Sequence, residues 1–475
     1  MSPATARRNI LVMFTGRGIS AAAALLFVTV VPRILGPSDY GYYSFWFAQL
    51  FLLFTALDLG SVDLVRRYLP NLIKTESPEA RTLVKKVLLI KACLIPVALF
   101  LLPLYEAKWA FMAIFLASTA AALSYILSEV NFAANRMIWY SAHHIMRKLV
   151  RFVLIVILFI LFARIGIIWA LVITELVILV LFAATTRSVL PCGPPGPMTR
   201  PFISYMSFGV LLYLSTLLFL ATGRLPVVIA RARGLSFEEI GYLALVIDIF
   251  YFALRELFYG ISESLLPLQA VHHEQGRSDK LPGSFNTVIR LSTAVIFPCL
   301  FTLALLPKEI LVLIGREFLP SLKLFLWFIP VVVLNVLSFI YRQVLILYEH
   351  KGRIFAINVA SFTIFLVPAL LADPVTLPLL ALAVAGASAV NCLLMWGFSR
   401  QIMRVTDEGS LYGKIVLLAA GLFIPAYLAG GHGLMIRMIV LVLGLAGYLA
   451  ALNLTGLLRW EELTGLRRHF ERSSP

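Results

Sequence analysis

Ionisable side chains that interrupt long apolar runs are where chemistry is to be sought, because each costs about 2.5 kcal/mol or more to place unaided in hydrocarbon. The densest group lies between residues 239 and 267: at 100° per helical residue, Asp248, Phe252, Arg255, Glu256, Tyr259 and Glu263 share an arc of about 100°. The guanidinium of Arg255 can grip phosphate or carboxylate oxygens bidentately, with Asp248, Glu256 and Glu263 as counter-ions or as acids that take up a coupling cation. The same set could instead be a structural ion-pair network, with Glu263 solvated near the end of its run. Arg17 and Arg224 interrupt two further runs, Arg224 close enough to an interface to snorkel. Asp58 and Asp63 flank Gly60; Asp63 has Arg66 and Arg67 three and four residues on for local neutralisation, and Asp58 has no such neighbour. Glu129 and Glu175 stand alone in their runs and could be held neutral by burial. His143 and His144, within NRMIWYSAHHIMRK, suit an interfacial amphipathic turn better than a metal site.

The elements that must hold these residues are membrane spans. The 475-residue chain is 61% hydrophobic and 13% charged, with mean hydropathy +0.93, more apolar surface than a soluble core absorbs. Alternating ten-residue strands of an outer-membrane barrel are not seen. Apolar runs predict helices over 9–32, 42–65, 87–104, 109–134, 149–163 and 165–186, then 202–230, 239–267, 285–306, 321–347, 354–372, 377–399, 413–430 and 435–458. The expected fold is thus an all-α polytopic membrane protein of about fourteen helices. Residues 1–186 form an N-terminal lobe of six, 187–201 a Pro/Gly-rich linker, 202–400 a second lobe of six, and 401–475 two added helices and a tail.

The net charge of +16 is distributed by side, which speaks for membrane topology and against nucleic acid: 27 Lys and Arg fall on the side of the termini, 10 on the other, with Arg17, Arg255 and Arg342 embedded. Both termini are therefore expected in the cytoplasm, with the chain multi-pass in the inner membrane. Apolar sequence continues past the small run Ala21–Ala24 to Val31, so the first span reads as a retained helix, not a cleaved signal. Gly16, Ser20 and Ala24, spaced by four, suit close helix packing. The four cysteines are scattered without CxxC spacing, so neither disulfide framework nor metal site nor cofactor is expected. The short loops leave no room for a catalytic domain outside the bilayer.

At an offset of 200, RILGPSDYGY (33–42) aligns without a gap with RGLSFEEIGY (233–242), matching Arg33, Leu35, Gly41 and Tyr42 to Arg233, Leu235, Gly241 and Tyr242. The register continues through Leu57/Leu257 and Gly60/Gly260, and it pairs the acids Asp39 and Asp63 with Glu239 and Glu263. Two parallel six-helix lobes are its simplest meaning, an arrangement of transporters whose sites lie between the repeats.

The stretch from Asn9 to Leu72, with RILGPSDYGYYSFWFAQLFLLFTALDLGSVDLVRRYLP, resembles the polysaccharide-biosynthesis oligosaccharide flippases of the multidrug/oligosaccharidyl-lipid/polysaccharide exporter superfamily. LSFEEIGYLALVIDIFYFALRELFYGISESLLPLQ and EILVLIGREFLPSLKLF are similar to that family too. The resemblance implies a V-shaped pair of lobes, cytoplasmic termini, and translocation of an undecaprenyl-diphosphate-linked glycan, with polysaccharide polymerase and glycosyltransferases as partners. Arg255, with Arg17 and Arg224, would then meet the pyrophosphate, and Asp58, Asp248, Glu256 and Glu263 would be counter-ions or coupling acids. A multidrug-type exporter of the same superfamily is the alternative, although a basic cleft is odd for cationic drugs. A membrane-embedded glycan polymerase or ligase would want a large exterior loop, and a scaffold would leave the buried charges without a task.

Overall fold

The computed structural model describes residues 3–93, 107–186, 189, 190, 195–199, 201–254, 281–402 and 408–455; Arg255, Glu256 and Glu263 lie outside them. The described residues are helical almost throughout and hold no strand. The helices are α1 (Pro3–Ala56), α2 (Ser61–Lys74), α3 (Glu79–Cys93), α4 (Lys108–Ala133), α5 (Met137–Thr186), α6 (Phe202–Ala232) and α7 (Phe237–Ile247). A π-helical turn, Asp248–Ala253, extends α7; then come α8 (Leu281–Leu305), α9 (Pro307–Ile314) with a 3-10 turn at Arg316–Ser321, α10 (Leu322–Leu347), α11 (Lys351–Leu371), α12 (Leu377–Ile402), α13 (Glu408–Ala429) and α14 (Leu434–Leu454).

Two of these helices are each two spans long. In α1 the backbone breaks at Gly36 (φ 71°, ψ 171°), beside Pro37, whose ring cannot continue a helix without a lost bond. In α5 it breaks at Ala163 (φ 50°, ψ −134°). Among the described residues nine helices are long and apolar enough to cross a membrane, and with these two divided the set is roughly consistent with the expected fourteen spans. The expected span 42–65 does not run through: Leu59 and Gly60 take positive φ (49° and 77°), and the chain restarts as α2. Helix α2 is amphipathic and buries Leu64, Val65 and Leu69 against α3 and α4.

The two lobes touch where the sequence repeat predicts equivalence. The end of the bundle holding the N terminus is termed here the near end, and the opposite one the far end. At the far end a Cβ on Gly41 would strike the carbonyl oxygen of Phe237, and one on Gly241 would strike that of Pro37. The 200-residue register, which maps Pro37 onto Phe237 and Gly41 onto Gly241, exchanges these two contacts, so α1 and α7 cross reciprocally, backbone on backbone, as only glycine allows. Phe318, from the 3-10 turn, is buried edge-on between Tyr40 of one lobe and Tyr242 of the other, at 6.1 and 6.2 Å between ring centres. At the near end a Cβ on Gly60 would lie 2.8 Å from the Gly209 carbonyl carbon, and the Tyr213 hydroxyl donates to Ala56 O at 2.8 Å. Helices α13 and α14 expose long apolar faces, among them Leu417, Tyr427, Met435 and Leu443.

Candidate functional site

The seam between the lobes carries charge that its apolar helices cannot leave bare. Asp248 opens the π turn, and there one carboxylate is served from both lobes: Arg224 Nη1 of α6 donates to Oδ1 at 2.6 Å, and the Tyr40 hydroxyl of α1 donates to Oδ2 at 2.6 Å. All three side chains are buried. The π turn also corrects the helical wheel drawn from sequence, because its i→i+5 bonding advances less than 100° per residue and re-aims Phe252. Arg224 lies 3.8 Å above the Phe252 ring and 5.7 Å from that of Phe51.

Phe47, Phe51 and Phe54 continue this set along one stripe of α1, each half-buried. Phe47 is approached by Arg224 at 4.8 Å and by Arg151 of α5 at 4.6 Å. Arg151 Nη2 donates to Glu175 Oε1 at 2.6 Å, and Arg147, over Phe54 at 5.3 Å, donates from Nε to the same oxygen at 2.9 Å. Glu175 is fully buried, so two guanidiniums share one carboxylate in the core of the first lobe.

Closer to the near end, Lys148 Nζ donates to Ser20 Oγ at 2.8 Å, and Gly16, Arg17, Ser20, Tyr140, Ser141 and His144 line a small recess between α1 and α5. Arg66 closes on Glu129 through Nε and Nη2 at 2.7 and 2.9 Å, and also donates to the Tyr140 hydroxyl at 3.1 Å. Lys91 donates to Asp58 Oδ1 at 3.3 Å, beside the Ser61 hydroxyl at 2.8 Å.

Of the residues expected to act, Arg224 and Asp248 are brought together, whereas Arg17 lies in the recess nearer the other end. Asp58 sits in the break before α2, paired with Lys91. Glu129 and Glu175, which stand alone in sequence, are both ion-paired. His143 is wholly buried, edge-on to Phe182 at 4.7 Å between centres, while Ile138 and Trp139 carry the exposed apolar face of that turn. Arg147, Lys148 and Arg151 were hidden in what reads as a basic loop; their spacing of three, four and seven residues from His144, along one helix face, was the available signal.

Residues 6–233 match the family model described as polysaccharide biosynthesis protein. No curated protein matches the sequence. Among solved structures, the chain is similar to the lipid II flippase MurJ in an inward closed conformation, with TM-score 0.63, 14% identity, and 94% of this chain and 97% of that one covered. It is similar also to an inward-facing multidrug resistance MATE family transporter (TM-score 0.62, 11% identity, 86% and 99% covered). A MOP superfamily transporter from Pyrococcus furiosus gives TM-score 0.62 at 11% identity, with 85% and 96% covered. The first lobe is thus similar to the polysaccharide biosynthesis proteins, and from end to end the chain has the fold seen in the lipid II flippase MurJ and in MATE transporters.

Proposed function

We propose that this chain flips an undecaprenyl-diphosphate-linked oligosaccharide, a precursor of surface polysaccharide, from the inner to the outer leaflet of the cytoplasmic membrane by alternating access. The observation that carries this is the unbalanced charge of the first lobe, where Arg147 and Arg151 answer to the single carboxylate Glu175. Such a surplus is expensive in low dielectric and is relieved by an anion. A pyrophosphate leaving water needs several charge-assisted contacts to offset its desolvation. Arg17 in the near-end recess, Arg224 at the seam and Arg255, outside the described residues, are the further contacts of this reading. Asp58, Asp248, Glu256 and Glu263 are its counter-ions or coupling acids, and glycosyltransferases and a polymerase act before and after it. The process is transport, with no covalent step on the chain.

Deletion of the gene is expected to trap glycan on its carrier lipid at the inner leaflet and lower surface polysaccharide, measured with labelled carrier lipid. Drug susceptibility of the same strain decides against the exporter reading. Unchanged carrier-linked glycan together with new sensitivity to cationic compounds would overturn the flippase assignment.

A further inference from the structure

Of the residues of α14 only Tyr448 and Leu452 are buried. Its apolar face, Met435, Val442 and Leu443 included, is turned outward, and apolar surface in lipid gives one helix no drive to join another. What fixes α14 is a short set of specific contacts with α8 and α9. The Tyr448 hydroxyl donates to Thr293 O at 3.1 Å, and Gly444 admits the Phe301 ring so closely that a Cβ there would lie 2.6 Å from its Cζ. Toward the far end, Arg437 donates from Nη1 to Glu309 Oε2 at 2.9 Å and from Nη2 to Oε1 at 2.5 Å, with the Leu305 carbonyl oxygen 3.5 Å from Nη1. The Arg437 side chain is 12% exposed, and its Nε–H is buried without an acceptor. An arginine withdrawn from water is a costly way to fasten a helix that an apolar side chain would fasten as well. Its use points to the element it grips.

Glu309 stands in the first turn of α9, an eight-residue helix whose Leu311 and Ile314 are buried and whose Val312 and Leu313 face outward. Gly315 alone separates α9 from the 3-10 turn that carries Phe318. Phe318 is the ring wedged between Tyr40 and Tyr242 of the two lobes, and the Glu317 carboxylate beside it lies 3.2 Å from where a Cβ on Gly36 would sit, at the break in α1. Helix α9 and its turn therefore make a bracket: Arg437 grips one end, and the other lies between the lobes.

We propose that Arg437 is a positioning residue through which α14 holds Phe318 in its wedge, so that a helix added outside the two lobes takes part in closing their far end. The inference goes beyond the flippase reading and holds whatever the cargo. A bidentate pair fixes direction as well as distance, so its loss leaves a helix of two turns free to rock on Leu311 and Ile314. Phe318 then spends less time between the tyrosines, and the population shifts toward lobes parted at the far end.

The far-end contact can be read without touching the bracket. Tyr42 and Phe237 belong to opposite lobes, with ring centres 5.3 Å apart, so cysteines at these positions in the full-length protein without its four native cysteines should be joined by a short bifunctional thiol reagent in detergent. Arg437→Gln should slow that cross-linking at least about threefold, and Arg437→Lys, which keeps the charge and loses the fork, should fall between. Adding Glu309→Gln to Arg437→Gln should slow it no further, because the two side chains act as one contact. A contact that only stabilises the fold would lower the melting temperature of Arg437→Gln and leave the cross-linking rate of the folded protein unchanged, which overturns the proposal. So does additive slowing in the double variant. Should Arg437→Gln fail to fold, Arg437→Lys decides: a slower rate upholds the positioning role, and an unchanged or faster one removes it.

Discussion

Arg66 and Glu129 show what a buried charge demands of its partner. Glu129 is fully buried on α4 and its carboxylate is gripped by both Nε and Nη2 of Arg66, whose side chain is 37% exposed. Arg66→Ala would strand a carboxylate in the core, a loss of about 3 kcal/mol, whereas adding Glu129→Leu should recover most of it because no uncompensated charge remains. Thermal unfolding of the two variants in detergent checks this, and equal destabilisation by single and double variants would contradict it. The pairing was not legible in the sequence, where Asp63 is the near neighbour of Arg66 and Glu129 stands 63 residues away. Periodicity places a side chain on a face of its own helix and is silent about which helix that face meets. Glu175 was misjudged for the same reason, with Arg151 24 residues distant across a helix break.

The glycines of α1 and α7 were legible as a repeat, and what the repeat could not tell is that the matched residues touch. Gly41 and Gly241, equivalent by register, are also neighbours, each set against a backbone carbonyl of the opposite lobe. In Gly241→Val the branched side chain meets the Pro37 carbonyl, so the far end is expected to part there. A cysteine placed at Phe318, in a background without the four native cysteines, should then react faster with a water-soluble thiol reagent. An unchanged rate would mean that the helices slide past the added side chain without separating. Where the sequence reading went astray was in assuming unbroken helices: the positive φ at Leu59 and Gly60 ends the second span early, and the π turn at Asp248 alters the wheel on which the polar face was drawn.

The arrangement of the whole chain followed from apolar run length and the distribution of basic residues, both of which report on solvent and not on packing. A reporter fused after Pro475 or in the 187–201 linker should be cytoplasmic, and one inserted between Arg231 and Phe237 exterior, as the 27-to-10 division of Lys and Arg requires. An exterior C terminus would mean an odd number of spans. The asymmetry between the lobes was not legible. The repeat implies two equal halves, yet among the described residues the shared carboxylate of Arg147 and Arg151 belongs to the first half alone.

The ion pairs also bear on how the chain enters the membrane. Arg147 and Arg151 lie on the first arm of α5 and Glu175 on the second, and Arg224 and Asp248 lie on the successive helices α6 and α7. In each case acid and base belong to consecutive spans joined by a short turn at the far end, so each hairpin can neutralise itself while it is inserted, before any later helix exists to help. Glu129 is different, because its base is two elements earlier on α2, already made and waiting when α4 arrives. Synthesis from the N terminus therefore never has to leave Glu129, Glu175 or Asp248 in hydrocarbon awaiting a partner yet to be translated: the order of the spans along the chain is itself part of what makes so charged an interior possible to build.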